Sequence, residues 1–172
     1  MKLIITPFDQ SFDRQQFSCG ENLLDDYLKK YARQDIKRNI SRIFVSSTPD
    51  CPKRVIGFYS LSANSLDPEL LPNNLRKKLP KFPLPVSLLG RLAIDKKFKS
   101  QGVGKMLLVD SMKRVYYASQ SLAVYALIVE AINEDAKKYY EKFGFIPLPD
   151  QPFKLFLPLS TIESLINSSI SR

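Results

Sequence analysis

Between Leu88 and Val109 the chain imposes a local order that few folds accommodate: strand, glycine turn, helix. A short apolar run, Leu92 to Ile94, stops at Asp95. A basic turn follows at Lys99 to Gly104, and an amphipathic helical pattern opens at Lys105. This order aims free backbone N–H groups and the positive end of a helix at an anion. Glycines let the main chain approach the ligand without a Cβ in the way. The spacing is not that of a Walker loop, because no Gly-Lys-Ser/Thr follows four residues after a first glycine. It is a poor dinucleotide fingerprint too, with two glycines rather than three and no acid at the ribose distance. Taken alone, a glycine turn before a helix describes it equally well.

A second segment bears on the first. Residues 123 to 130 form a buried-strand run that ends at Glu130, and Asn133 follows just beyond it. A helical pattern then reads Ala136-Lys-Lys-Tyr139-Tyr140-Glu-Lys-Phe-Gly-Phe145.

Together these segments resemble the two halves of the acyl-CoA site of the GNAT acetyltransferase superfamily. Its loop pattern, Arg/Gln-x-x-Gly-x-Gly/Ala, maps onto Lys99 to Gly104, with Lys99 replacing the usual Arg or Gln. Its second half, an Asn past a strand and a helix carrying Ala-x-x-Tyr/Phe-Tyr-Glu-x-Phe-Gly-Phe, maps onto Asn133 and residues 136 to 145. Three further stretches narrow the resemblance: Phe17 to Leu28, Gly57 to Ala63, and Leu89 to Asp95 after a proline-broken basic segment. They are similar to the acetyltransferase toxins of bacterial type II toxin–antitoxin modules, which acetylate the α-amine of aminoacyl-tRNA.

Composition narrows the chemistry independently. At 172 residues, 44% of them hydrophobic, the chain has the length and apolar content for one domain, expected over residues 1–172. The formal net charge of +9 favours encounter with polyanions, although a merely soluble basic protein fits it as well. The absence of histidine removes Ser-His-Asp and Cys-His catalysis, His-based metal sites and the commonest general base. Cys19 and Cys51 stand apart with no Cys-x-x-Cys pattern, so no metal is expected and a reducing cytoplasm is. No signal peptide and no membrane span is expected from the apolar runs.

Periodicity places the remaining elements. Strands are expected at Leu3–Thr6, Arg42–Ser47, Arg54–Ser62, 88–94, 122–130, Phe143–Pro147 and Phe153–Leu157. Helices are expected at Glu21 to about Ile40 with Asn22 as cap, at 103–118, at 134–142, and as a terminal turn from Ser160 to Asn167. Residues 64 to 85 hold five prolines and read as an irregular loop. The expected class is α+β. The resemblance supplies the topology, a GNAT fold with a mixed, mainly antiparallel sheet and helices on both faces.

The resemblance also implies the site residues. Backbone N–H groups of Ser100, Gln101, Gly102, Val103, Gly104 and Lys105 would hold the pyrophosphate of acetyl-CoA, with Lys99 and Lys105 adding charge. The main chain at Leu92, Ala93 and Ile94 would pair with the pantetheine arm as an added strand does. Asn133 is expected either to reach that arm or to cap the following helix, and the two roles are compatible. Tyr140 occupies the position of the general acid, since a phenol near pKa ~10 keeps its proton at neutral pH. Tyr139, turned by roughly 100° on a helix, is expected in the core.

Charge and acidity bear on the substrate. A lysine amine near pKa ~10.4 needs a strong base, whereas an α-amine near ~7.7–8.0 is already partly neutral. A histidine-free site therefore leans toward an aminoacyl ester, with Glu130 available through water. Lys29, Lys30, Arg33, Lys37 and Arg38 crowd the first helix, while Arg76, Lys77 and Lys78 load the proline-rich segment. These, with Arg91, are the candidate tRNA contacts, against the plainer reading of a solvated charged face. Arg91 has a second expectation, an ion pair with an acid such as Asp95. The partners that the resemblance implies are aminoacyl-tRNA and a ribbon-helix-helix antitoxin, with a homodimer left open. Two alternatives remain at this stage. One is an acetyltransferase for a small amine or a protein N-terminus; the other is a non-enzymatic partner of a DNA-binding repressor.

Overall fold

The computed structural model describes residues 1–170. Strands β1 (Ile4–Pro7), β2 (Arg42–Ser47), β3 (Gly57–Leu66), β4 (Leu84–Ile94), β5 (Ala126–Glu130), β6 (Ile146–Leu148) and β7 (Gln151–Pro158) form one sheet, ordered β1-β2-β3-β4-β5-β7-β6. The β1–β2, β2–β3, β5–β7 and β6–β7 pairings are antiparallel, and β4–β5 is parallel. The sheet is thus mixed and mainly antiparallel, as expected of an α+β chain. Two compact units are delineated, Met1–Ser62 with Gly90–Ser111, and Ala63–Leu89 with Met112 onward.

The first unit packs the meander β1-β2-β3 against the N-terminal helical stretch. Phe17, Leu28 and Phe58 lie at its centre, nearly inaccessible to water, with the Phe17 and Phe58 rings meeting edge-on at 5.5 Å. Burying side chains of this size contributes about 1.5–3 kcal/mol each. The helical stretch is not one regular helix. It runs as α1 (Asn22–Asp26), a π turn (Tyr27–Tyr31) and α2 (Ala32–Lys37). In the π turn the Ala32 N–H reaches back five residues to the Tyr27 carbonyl. Asn22 is the first helical residue rather than the cap. Glu21, extended, precedes it, and its carbonyl accepts from Leu24 and Asp25. Asn39, left-handed at φ 59°, ends the stretch before Ile40.

In the second unit, β4 pairs with β5 from Val86↔Ala126 to Leu89↔Val129. The proline-rich segment proves more regular than its composition suggests. It carries the end of β3, a 3-10 turn at Pro68–Leu70, helix α3 (Asn73–Arg76) and the start of β4. Pro68 and Pro72 sit at turn starts, where an N–H has no partner to lose. Pro85 is the exposed position between buried Leu84 and Val86, so it interrupts the apolar run but not the strand. Leu66, Leu71 and Leu84 join Ile128, Leu148 and Phe156 in one core cluster. Helices α5 (Glu134–Glu141) and α6 (Leu159–Ile170) complete this unit. Strand β5 starts at Ala126 rather than 122, since Leu122 is exposed. Among the described residues, no helix is long and apolar enough to cross a membrane.

Candidate active site

Strand β4 delivers the chain into the glycine turn through a set of main-chain anchors, all within the first unit. Buried Asp95 accepts from the Lys97 N–H at 2.9 Å and from the Ser18 N–H at 3.3 Å. The Lys96 N–H returns a bond to the Ser18 carbonyl at 2.8 Å. Arg54 stacks over Phe98, 4.9 Å from its centroid. Beyond this clamp, Ser100 and Gly102 take left-handed conformations, φ 63° and 80°. Helix α4 (Val103–Ala118) begins there. Its seat is secured by buried Val103, Leu107 and Leu108. At Gly57 on β3 a Cβ would meet Leu107 Cδ1 at 2.8 Å and the Ala93 carbonyl at 2.9 Å, so glycine permits this close approach.

What the turn presents is suited to a diphosphate. The first-turn N–H groups of α4 have no upstream carbonyls to bond within the helix. Lys99, Ser100, Gln101, Gly102 and Lys105 are exposed, and Gly104 is half-buried. Asp95, just upstream of the turn, is buried with its carboxylate engaged by amides. A Cβ on Gly102 would meet nothing within 4 Å, which leaves open space in front of the turn. Upstream, β4 runs on past the last residue of its β5 register, Leu89, to Ile94, with Leu92 and Ile94 half-buried and Ala93 buried.

The second unit carries the candidate acid. Asn133 caps α5, its Oδ1 accepting from the Ala136 N–H at 2.9 Å, so the capping role is the one realised in this structure. The Tyr140 ring meets buried Phe145 edge-on at 5.5 Å. Burial, and secondarily the neighbouring Tyr139, push its phenol up to about 12. Tyr139 does not enter the core as expected. No residue of α5 is fully buried, and Tyr139 lies half-buried against Phe143 at 5.1 Å.

The basic residues separate into two groups. In the first unit, Lys30, Arg33 and Lys37 converge with Arg14 and Gln34 on an open cleft of about 350 Å³ with no acid in its lining. Lys30 pairs with Asp26 at 3.5 Å, and Arg33 donates to Gln10 at 3.2 Å. Lys29 is half-buried and Arg38 exposed. Arg91 does not pair with Asp95, which the amides occupy; its guanidinium lies over Tyr27 instead. In the second unit, Arg76 is bound to Glu69 and Asn73, while Lys77 and Lys78 are exposed.

Comparison with known proteins decides the family. Residues 86–155 match the Acetyltransferase (GNAT) domain family. The chain is 37% identical over 154 residues, 90% of each chain, to a tRNA-acetylating toxin of Mycobacterium tuberculosis. It belongs to the GNAT acetyltransferases. Among solved structures, a complex of the toxin AtaT with acetyl-methionyl-tRNAfMet superposes with a TM-score of 0.87 at 34% identity, covering 96% of this chain and 99% of that one. A Tyr-to-Phe mutant of AtaT bound to the C-terminus of the antitoxin AtaR and acetyl-CoA gives a TM-score of 0.81 at 31% identity, covering 95% and 98%.

Within this GNAT chain, two residues escape a reading of the sequence. Arg14 lies far from the basic run and reaches the cleft only through the fold. Tyr27 is buried among apolar residues, with its hydroxyl donating to Asp35 at 2.7 Å. Neither carries a local signal. Glu130 is exposed at the end of β5, across the ladder from Lys154. The GNAT acetyl donor, acetyl-CoA, fits the turn's donors and cations as described.

Proposed function

We propose that this chain is an acetyl-CoA-dependent N-acetyltransferase toxin that acetylates the α-amine of aminoacyl-tRNA and so blocks translation. The observation that carries this reading is the left-handed turn at Ser100 and Gly102 opening α4, in a chain so similar throughout to a tRNA-acetylating toxin. Residues 1–172 act as one N-acetyltransferase domain. The amides of Ser100 to Lys105 hold the pyrophosphate, with Lys99 and Lys105 beside them, and the main chain of Leu92 to Ile94 pairs with the pantetheine arm. Asn133 acts chiefly as a cap.

Acetyl-CoA supplies the activated acetyl thioester. Tyr140 supplies a proton held at its phenol oxygen. Thiols ordinarily titrate near ~8.5, whereas the Tyr140 phenol sits at about 12. Full transfer from phenol to thiolate is therefore uphill, so Tyr140 donates a hydrogen bond while the C–S bond breaks. The proton lost by the attacking amine completes the balance. The acceptor amine must be neutral, and with no histidine in the chain an α-amine of low basicity suits the site better than a lysine side chain.

The cleft cations Lys30, Arg33 and Lys37, with Lys29 and Arg38, grip tRNA phosphates. Lys77 and Lys78 add charge, and Arg76, held by Glu69, contributes least. A cytoplasmic ribbon-helix-helix antitoxin neutralises the chain; the AtaT mutant bound to the C-terminus of the antitoxin AtaR and acetyl-CoA supports an antitoxin partner. The test is mass spectrometry of total aminoacyl-tRNA after incubation with acetyl-CoA. N-acetylated aminoacyl adenosine after nuclease digestion is expected, and its absence, with acetylation of a small amine or protein N-terminus instead, would replace the substrate.

A further inference from the structure

On β4, one residue ahead of Leu92, the guanidinium carbon of Arg91 lies 3.5 Å from the centroid of the Tyr27 ring. That ring is fixed on two sides. Its hydroxyl donates to Asp35 at 2.7 Å, and its face stacks with Phe58 at 6.4 Å and 22°. Arg91 is half-buried, and among the described residues its side chain makes no hydrogen bond and no ion pair. Asp35 accepts from the Tyr27 hydroxyl and Asp95 from the Lys97 and Ser18 amides, and neither forms an ion pair with Arg91.

A guanidinium in this setting has a narrow range of uses. Stacking covers one of its faces and fixes its plane, leaving the fork of N–H donors along the edge. Such a fork matches the two oxygens of a phosphate or carboxylate. A half-buried cation with no ion pair of its own can be completed by an anion that arrives with a ligand.

We propose that Arg91 clamps a phosphodiester at the acceptor end of aminoacyl-tRNA, and that Tyr27 is its positioning residue. The inference rests on the aminoacyl-tRNA reading above. The anion nearest an aminoacyl ester is the phosphodiester joining the terminal nucleoside to its neighbour. Arg91 adjoins the strand assigned to the acetyl donor's arm, whereas the cleft cations lie on the N-terminal helices. Arg91 thereby places the reacting end, and the cleft grips the body. The same phosphate chemistry exists in acetyl-CoA, so the test separates the two sources.

Steady-state acetylation is measured with aminoacyl-tRNA and with a phosphate-free acceptor, 3′-aminoacyl-adenosine, for wild type, Arg91→Gln, Arg91→Lys, Tyr27→Phe and Tyr27→Leu. Melting curves report the fold of each. Arg91→Gln is expected to raise KM for aminoacyl-tRNA by about 10- to 100-fold, the range for a lost charged hydrogen bond. The kcat and the KM for acetyl-CoA stay level, and no difference from wild type appears on aminoacyl-adenosine. Arg91→Lys, a point charge without the fork, falls between. Tyr27→Leu follows Arg91→Gln, and Tyr27→Phe, which keeps the ring, is milder. Equal losses on both acceptors mean a structural role, and a raised KM for acetyl-CoA means its phosphate is the ligand; either result overturns the proposal. An unmoved KM in folded Arg91→Gln also does, while wild type inert toward aminoacyl-tRNA removes the parent reading as well.

Discussion

Ser100 and Gly102 flank Gln101 with two left-handed backbone positions, φ 63° and 80°. A non-glycine residue in this region costs about 1–3 kcal/mol, and Ser100 is held there at that cost. Because a Cβ on Gly102 would meet no protein atom within 4 Å, its replacement strains the turn locally and leaves the core untouched. Changing Gly102 and Gly104 to valine is expected to abolish acetyl-CoA binding in calorimetry while the melting transition survives. A folded double mutant of unchanged affinity would move the donor elsewhere.

Tyr140→Phe keeps the ring against Phe145 and removes the proton. Turnover is expected to fall roughly 10²-fold or more, the scale for losing one hydrogen bond donated to charge that develops in the transition state, with acetyl-CoA affinity nearly unchanged. Wild-type rates from the mutant would take Tyr140 out of the mechanism.

The same phenol makes an alkaline prediction. Burial favours its neutral form, raising the folded value to about 12 from the ordinary 10. The stability that this represents is whole below pH 10 and is lost as pH climbs through about 12. Tyr27, raised to about 12 by burial and then by its bond to Asp35, adds a second loss in the same window. Melting temperature measured from pH 9 to 12 should drop, and less steeply in Tyr140→Phe. Superimposable wild-type and mutant curves would contradict the assigned burial effect.

Gly57→Ala places a methyl under 3 Å from both Leu107 and the Ala93 carbonyl. Overpacking of this kind costs about 1–3 kcal/mol. Chemical denaturation should show that loss, accompanied by weaker acetyl-CoA binding, because Leu107 belongs to the helix that opens at the glycine turn.

For the cleft, replacing Arg14, Lys30, Arg33 and Lys37 with serine should flatten the dependence of tRNA affinity on salt. Each lost phosphate contact reduces the slope of log K against log salt by about 0.7–0.9. Acetyl-CoA affinity should hold. An unchanged slope returns these side chains to the role of a solvated face.

Legibility in the sequence followed the physics of each element. Helix Val103–Ala118 and strand Arg42–Ser47 match their expected bounds, because each is a long or compact apolar-bearing run bounded by turn residues. The start of β4 was hidden by Pro83 and Pro85, which interrupt the apolar run without breaking the alternation around buried Leu84 and Val86. The end of β3 was hidden by exposed Ala63, Asn64 and Ser65, which carry no strand pattern. In the candidate site, the glycine turn and Tyr140 were visible as local motifs. Arg14 in the cleft and the stacking of Arg91 on Tyr27 were not, since each joins residues distant in the chain.

The π turn at Tyr27–Tyr31 has a consequence for anyone re-engineering the basic surface. Its wider turn takes up one extra residue, so that Arg33, Gln34 and Lys37 beyond it still face the cleft beside Lys30. Forcing the turn into regular α-helix while keeping all its residues would rotate everything beyond it by roughly 100°. Arg33 and Lys37 would then swing off the cleft with the composition and net charge of the helix almost unaltered. The phase of this helix, as much as its cations, sets the direction in which the protein is positive.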